Sequence, residues 1–138
     1  MNPRTPNTKQ TGDVSVARIL ARLLELERVV SIPFGDNARY DLVVEVEGRL
    51  LRVQCKTGRL ERGAIVFPVS SSAAHRGGGR RSYHGEVDAF AVHCPDTAQV
   101  LMVPFDAVAD CRKEARLRVA ESLNGQRQRV RAAASFLL

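Results

Sequence analysis

The sequence predicts a single mixed domain of the α/β (α+β) class, on three observations. A chain of 138 residues with 44% hydrophobic content is long enough for one packed core and short for two. Near the N-terminus apolar residues recur at helical spacing, whereas between 41 and 56 they alternate strictly, as a strand with one buried face requires. Further short apolar runs at 64–69, 89–93 and 100–103 read as additional strands.

Taken in order, residues 1–12 are polar, carry Pro3, Pro6 and Gly12, and show no periodicity, which predicts a flexible N-terminal arm. Residues 13–29 read as a helix, with Val16, Leu20, Leu23 and Leu24 on one stripe and Arg18, Arg22 and Glu25 on the other. Asp13 is the expected N-cap, because its carboxylate can accept the orphan N–H groups of the first turn. Val29-Val30-Ser31-Ile32 reads as a short strand ended by Pro33, and Phe34-Gly35-Asp36-Asn37 as a loop. The alternation over 41–56 is a β-hairpin. With Gly48-Arg49 as a two-residue turn, Asp41 faces Lys56 and Val43 faces Gln54. Residues 70–85, rich in Ser, Gly and Arg, predict a long exposed loop with room for one helical turn. Pro95-Asp96 separates the strands at 89–93 and 100–103, and residues 106–115 read as helical. The domain then runs over 13–115, and 116–138 is an arginine-rich extension of it.

Charge narrows the function classes. Lys and Arg total 21 against 15 acids, and only Lys9, Lys56 and Lys113 are lysines. The net charge of +6 suits a polyanionic partner, since each phosphate contact releases condensed counterions, and arginine's planar fork suits phosphate geometry. A solvated surface with an inflated arginine content accounts for the charge equally well. No apolar run approaches the ~20 residues that cross a bilayer, and the N-terminus lacks the apolar stretch of a secretion signal. Cys55, Cys94 and Cys111 are widely spaced, with no CxxC pair for zinc and too few for a disulfide framework, which predicts a reducing cytoplasmic setting.

The chemistry-bearing residues lie on the hairpin. Its alternation puts Asp41, Gln54 and Lys56 on one face, at the open end. A carboxylate and an amide oxygen are hard ligands suited to Mg²⁺, and a lysine beside them can hold or activate a water attacking a phosphodiester. The same residues are also consistent with an exposed cross-strand Asp–Lys pair of less than about 1 kcal/mol.

The order Asp41, hairpin, Gln54-Cys55-Lys56 resembles the PD-(D/E)XK nuclease superfamily in its D…QxK variant. Further blocks resemble the group I intron-associated homing endonucleases of that superfamily. They are Asn7-Thr8-Lys9-Gln10-Thr11-Gly12-Asp13, Ile32-Pro33-Phe34-Gly35-Asp36, Arg39-Tyr40-Asp41-Leu42, Val53-Gln54-Cys55-Lys56-Thr57-Gly58, Arg81-Ser82-Tyr83-His84-Gly85 and Val103-Pro104. The resemblance implies a metal-dependent endodeoxyribonuclease on a restriction-endonuclease-like core, a mixed central sheet flanked by helices. It implies Mg²⁺ as cofactor, with Mn²⁺ able to substitute, and double-stranded DNA as partner. It also implies a homodimer or homotetramer, and no role at a membrane. Carried over by position, Asp41 is a metal ligand, Gln54 helps coordinate in the second acidic position with the Cys55 carbonyl nearby, and Lys56 is the catalytic lysine. The family's usual first-helix glutamate falls at Val16, which cannot bind a metal; Asp13, one turn earlier, is the available substitute.

Other residues carry double readings. Cys55 points to the apolar face and reads as core. Arg80 and Arg81, together with Tyr83 and His84 in the block that resembles the family, are candidate DNA contacts, against the alternative of solvated loop residues. Gly77-Gly78-Gly79 lacks the GK[ST] of a P-loop, which argues against nucleotide binding. Two functions remain: the metal-dependent DNA endonuclease, and a catalytically impaired DNA-binding module that keeps the fold but has Val16 where the helix glutamate belongs.

Overall fold

The computed structural model describes residues 7–72, 79–119 and 131–138. The chain enters through helix α1, Thr8–Glu25. Asn7, in extended backbone, is its N-cap, and Oδ1 accepts the Gln10 N–H at 3.2 Å. Residues 7–12, expected in a flexible arm, are therefore cap and first helical turns, and Asp13 is an exposed residue inside the helix. Asn caps as well as Asp does, and Gly12, which costs about 1 kcal/mol inside a helix, is tolerated because the helix is held by packing. The buried stripe is Ser15, Ile19 and Leu23, rotated from the expected one, and Leu24 is exposed.

The helix ends at Glu25 rather than near 29. Glu27 adopts φ 60°, its N–H donates to the Leu24 carbonyl, and the Arg28 N–H donates to the Leu23 carbonyl. This is a Schellman ending with glutamate where glycine is usual, so composition did not announce it.

Five strands form the central sheet. These are β1 (Val30–Ser31), β2 (Leu42–Val46), β3 (Arg49–Thr57), then β8 (Ala89–Cys94) and β9 (Gln99–Pro104), in the order β1-β2-β3-β8-β9. Only β3 and β8 run parallel. The hairpin register differs from the expected one by two residues. Leu42 pairs with Val53 and Val46 with Arg49, so the turn is Glu47-Gly48. Both turn residues have positive φ, 51° and 76°, as the type I′ turn demands. An even displacement leaves every side chain on its expected face, and Asp41 comes into line with Gln54 instead of Lys56.

After β3 the chain crosses to a second sheet of β4 (Arg59–Glu61), β5 (Ala64–Pro68) and β10 (Glu114–Arg118), in the order β10-β5-β4. Gly58 permits the crossing: a Cβ there would stand 2.8 Å from Ile65 Cγ2 and 3.0 Å from Val92 Cγ1. Two expectations are corrected here. Residues 106–115 are not a helix: a short 3₁₀ turn, Phe105–Val108, leads into β10, which exists because it pairs along all of β5. Residues 70–85 are not simply a loop, because β6 (Ser70–Ser72) and β7 (Arg80–Ser82) pair as a ribbon and satisfy each other's backbone. Residues 73–78 and 120–130, which include Arg76, Arg127 and Arg129, lie outside the described residues.

The central sheet is covered differently on its two faces. Leu42, Val44, Val53, Cys55, Ala89 and Ala91 pack with Ile19 and Leu23 of α1. On the other face Phe90, Val92 and Cys94 pack with Ile65, Phe67 and Leu117 of the second sheet. The chain closes against the free edge of β9, where the Leu138 N–H donates to the Val100 carbonyl at 3.0 Å. Near the hairpin turn the outer face of β2 and β3 is uncovered among the described residues, with Leu50 69% exposed.

Candidate active site

Strand β3 outruns β2. The last bond of the ladder is the Asp41 N–H donating to the Val53 carbonyl at 2.8 Å. The next donor on β3, the Cys55 N–H, goes to Oδ2 of the Asp41 carboxylate at 3.0 Å. A side chain thus replaces a strand partner, and this fixes the carboxyl at the end of the hairpin. Its Oδ1 accepts no hydrogen bond among the described residues. The half-buried Gln54 amide points the same way, with Nε2 in a long 3.5 Å contact to the Cys55 carbonyl. Asp41 and Gln54 therefore both touch the main chain of Cys55, one at its N–H and the other at its carbonyl.

The Cys55 thiol lies on the opposite, apolar face. Burial, reinforced by the negative charge of Asp41, pushes its pKa up to about 12, so it is a protonated core residue and only its main-chain oxygen faces the site. The donors available to a cation are then one carboxylate oxygen, an amide oxygen and a peptide carbonyl. Among the described residues no three His, Cys, Asp or Glu side chains cluster. An all-oxygen set fits a hard divalent ion such as Mg²⁺ and does not fit zinc.

Lys56 stands beside this group on the open face, and its Nζ donates to the Tyr83 hydroxyl at 2.9 Å. Tyr83, expected among the DNA contacts, is only 4% exposed; its ring packs edge-on against Phe90 at 5.6 Å. The Arg39 guanidinium carbon lies 4.0 Å from the centroid of the same ring. Arg39 is held by Glu86 Oε1 at 3.1 Å, Ser71 Oγ at 2.8 Å and the Ser82 carbonyl at 3.2 Å. Sequence reasoning assigned Arg39 no role, and the Lys56–Tyr83 contact spans 27 residues with no local signal.

The remaining candidates line the ribbon. Arg80 and Arg81 are exposed, but each has a partner: Arg80 Nε donates to Ser70 Oγ at 2.7 Å and Arg81 Nη2 to Glu86 Oε1 at 3.2 Å. His84 is exposed, with its ring 5.8 Å from that of Phe105. Val16 is half-buried against the apolar cluster that contains Leu42 and Cys55, and it offers no oxygen. Asp88 is occupied structurally. Arg52 donates to it from Nε and Nη2, both at 3.1 Å, and from its backbone N–H at 2.8 Å, and these bonds hold the carboxyl below its ordinary pKa.

A second polar cluster lies on the helix side of β3. Ser15 Oγ is 2.6 Å from Thr57 Oγ1 and 3.0 Å from His93 Nδ1. Burial first, and the charge of Arg18 second, lower the His93 pKa and favour the neutral ring, whose Nδ1 shares a hydrogen bond with the Ser15 hydroxyl.

None of the curated proteins matches the sequence. The structure is similar to that of the bacterial homing endonuclease I-Ssp6803I, with a TM-score of 0.74 and 28% sequence identity, over 96% of this chain and 89% of that one. The mixed sheet with its flanking helix is thus a restriction-endonuclease-like core. The family of PD-(D/E)XK endonucleases matches residues 6–138, nearly the whole chain, and the chain belongs to that family.

Proposed function

We propose that this endonuclease hydrolyses the phosphodiester bonds of double-stranded DNA with Mg²⁺ as cofactor and Mn²⁺ as a substitute. The observation that supports the reading is that the Asp41 carboxylate and the Gln54 amide both touch the Cys55 main chain at the end of the hairpin, with Lys56 on the same strand face as Gln54. Asp41, Gln54 and the Cys55 carbonyl are the groups that would hold the ion. When bound, it supplies a Lewis acid that offsets phosphate charge and lowers the pKa of a water. Lys56 keeps two N–H donors beyond its bond to Tyr83 and directs them at the attacking water or a phosphate oxygen. Arg80, Arg81 and His84 on the neighbouring ribbon contact the DNA backbone and fix its register without reading sequence. Double-strand cleavage needs one site per strand, which favours a homodimer or homotetramer. The three free cysteines suit a reducing cytoplasm.

Supercoiled plasmid incubated with the protein, with and without Mg²⁺, tests the reading: linear product is expected only with the ion, and an uncut plasmid under all conditions overturns it. A second reading, a DNA-binding module with impaired catalysis, is favoured by the single carboxylate at the site and by Val16. Slow wild-type cleavage that Val16→Glu accelerates would favour it.

A further inference from the structure

Lys56 is the one catalytic candidate whose side chain is long enough to miss its target. Its four-carbon stem has many rotamers, and an ammonium left in solvent would sample many positions. Among the described residues it forms no ion pair, and its partner is a phenol. The Nζ donates to the Tyr83 hydroxyl at 2.9 Å and sits 4.7 Å from the ring centroid. Tyr83 itself is immobilised. Its ring meets Phe90 at 85°, and Phe90 is the β8 residue aligned with Gln54. Its face carries the Arg39 guanidinium, which Glu86, Ser71 and Ser82 anchor in turn.

From this geometry we infer that Tyr83 is a positioning residue for Lys56, not a DNA contact, and that Arg39 serves as its brace. A carboxylate in the same place would hold the ammonium equally well but would cancel the positive charge that a phosphate needs. A neutral hydroxyl orients one N–H and leaves the charge and two donors to the substrate. The inference rests on the nuclease reading, because it gives Lys56 a substrate to meet.

Tyr83→Phe keeps the ring and its packing and deletes only the hydroxyl. Its single-turnover cleavage rate on plasmid is expected to fall about tenfold or more, since a misplacement of about 1 Å costs on the order of 10²-fold. DNA affinity should be unchanged. A merely structural role would leave the rate of the folded variant intact. A direct DNA contact would instead weaken affinity at constant rate, and either result overturns the inference. The geometry is checked separately by labelling lysine at ¹³Cε. The protein has only three lysines, and Lys56→Arg identifies the Lys56 signal. That signal should be ring-current shifted away from those of Lys9 and Lys113, and Tyr83→Leu should remove the shift. A Lys56 signal coincident with the other two in the wild-type protein also overturns the inference. Failure of the nuclease reading looks different: the wild-type protein then cuts no DNA.

Discussion

At its C-terminal end β3 carries neighbouring polar residues on opposite faces, Lys56 toward the open side and Thr57 toward α1, and the two clusters they join differ in what is left over. Around Thr57, Ser15 and His93 each short contact is used within the protein: the Ser15 hydroxyl lies within hydrogen-bonding reach of both neighbours, beneath the helix. Around Lys56, one oxygen of Asp41 and two donors of the ammonium have no hydrogen-bond partner among the described residues, and both side chains are half-buried rather than enclosed. Polarity and spacing alone make the clusters look alike. Residual hydrogen-bonding capacity is what separates the proposed site from the cluster that fastens the helix.

The strongest way to break that comparison is to neutralise the open cluster. Asp41→Asn keeps an oxygen for the Cys55 N–H but removes the charge, and Lys56→Ala removes the ammonium. Each is expected to lower plasmid cleavage about 10²–10³-fold; Asp41→Asn should leave thermal stability near wild type, whereas Lys56→Ala should also cost about 1–3 kcal/mol by removing the partner of the buried Tyr83 hydroxyl. Asp41→Ala is a poorer probe, because it also strips the bond to Cys55 and leaves that buried donor unpaired, at about 1–3 kcal/mol. Wild-type cleavage in Asp41→Asn would dismiss the catalytic assignment.

The closed cluster should show the reverse pattern. Ser15→Ala leaves His93 Nδ1 and Thr57 Oγ1 without their shared partner and is expected to cost about 1–3 kcal/mol in a urea titration. Cleavage below the melting range should be unaffected. A large rate loss at unchanged stability would move Ser15 into the catalytic machinery and erase the contrast.

Acid sharpens the same contrast. Because the folded state lowers the His93 pKa below 6.5, the unfolded chain takes up a proton first as the pH falls. Stability is therefore level above about pH 6.5 and declines below it, toward the lowered folded value. His93→Gln should flatten this decline, seen by comparing denaturation midpoints near pH 7.5 and near pH 5.5. The carboxyl of Asp88, held below 3.8 by Arg52, acts only at more acid pH and does not blur the test. An equal decline in the variant would show that His93 is not its source.

The smallest effect belongs to the ribbon. Replacing Arg80 and Arg81 together by Ala should reduce the slope of log affinity against log salt by at most about 2, near 0.9 for each phosphate no longer neutralised, and weaken binding to all DNA sequences alike. An unchanged slope would show that their bonds to Ser70 and Glu86 are structural only.

Much of this was legible beforehand, for identifiable reasons. Strand alternation has a period of two, so Asp41, Gln54 and Lys56 could be put on one face, and Cys55 on the other, without knowing the turn. The even register error left that result untouched. The missed features have in common that no residue type announces them. Glu27 and Glu47 adopt positive φ where glycine or asparagine would be the signal, so the helix end and the turn were both displaced. Residues 114–118 have no strong strand pattern of their own; they are a strand because residues 64–68 lie beside them.

By itself, then, the sequence determined the mixed architecture, the hairpin with its two chemically distinct faces, the identity of the cofacial triplet and the family to which its motifs point. These are properties of neighbouring residues, and local periodicity encodes them. Only the tertiary structure decided that the Asp41 carboxylate takes the place of a strand partner and that Tyr83 turns inward to meet Lys56. It likewise decided that Ser15, Thr57 and His93 form one closed cluster. Each joins residues far apart in the chain, and such contacts form only once the sheet has brought them together.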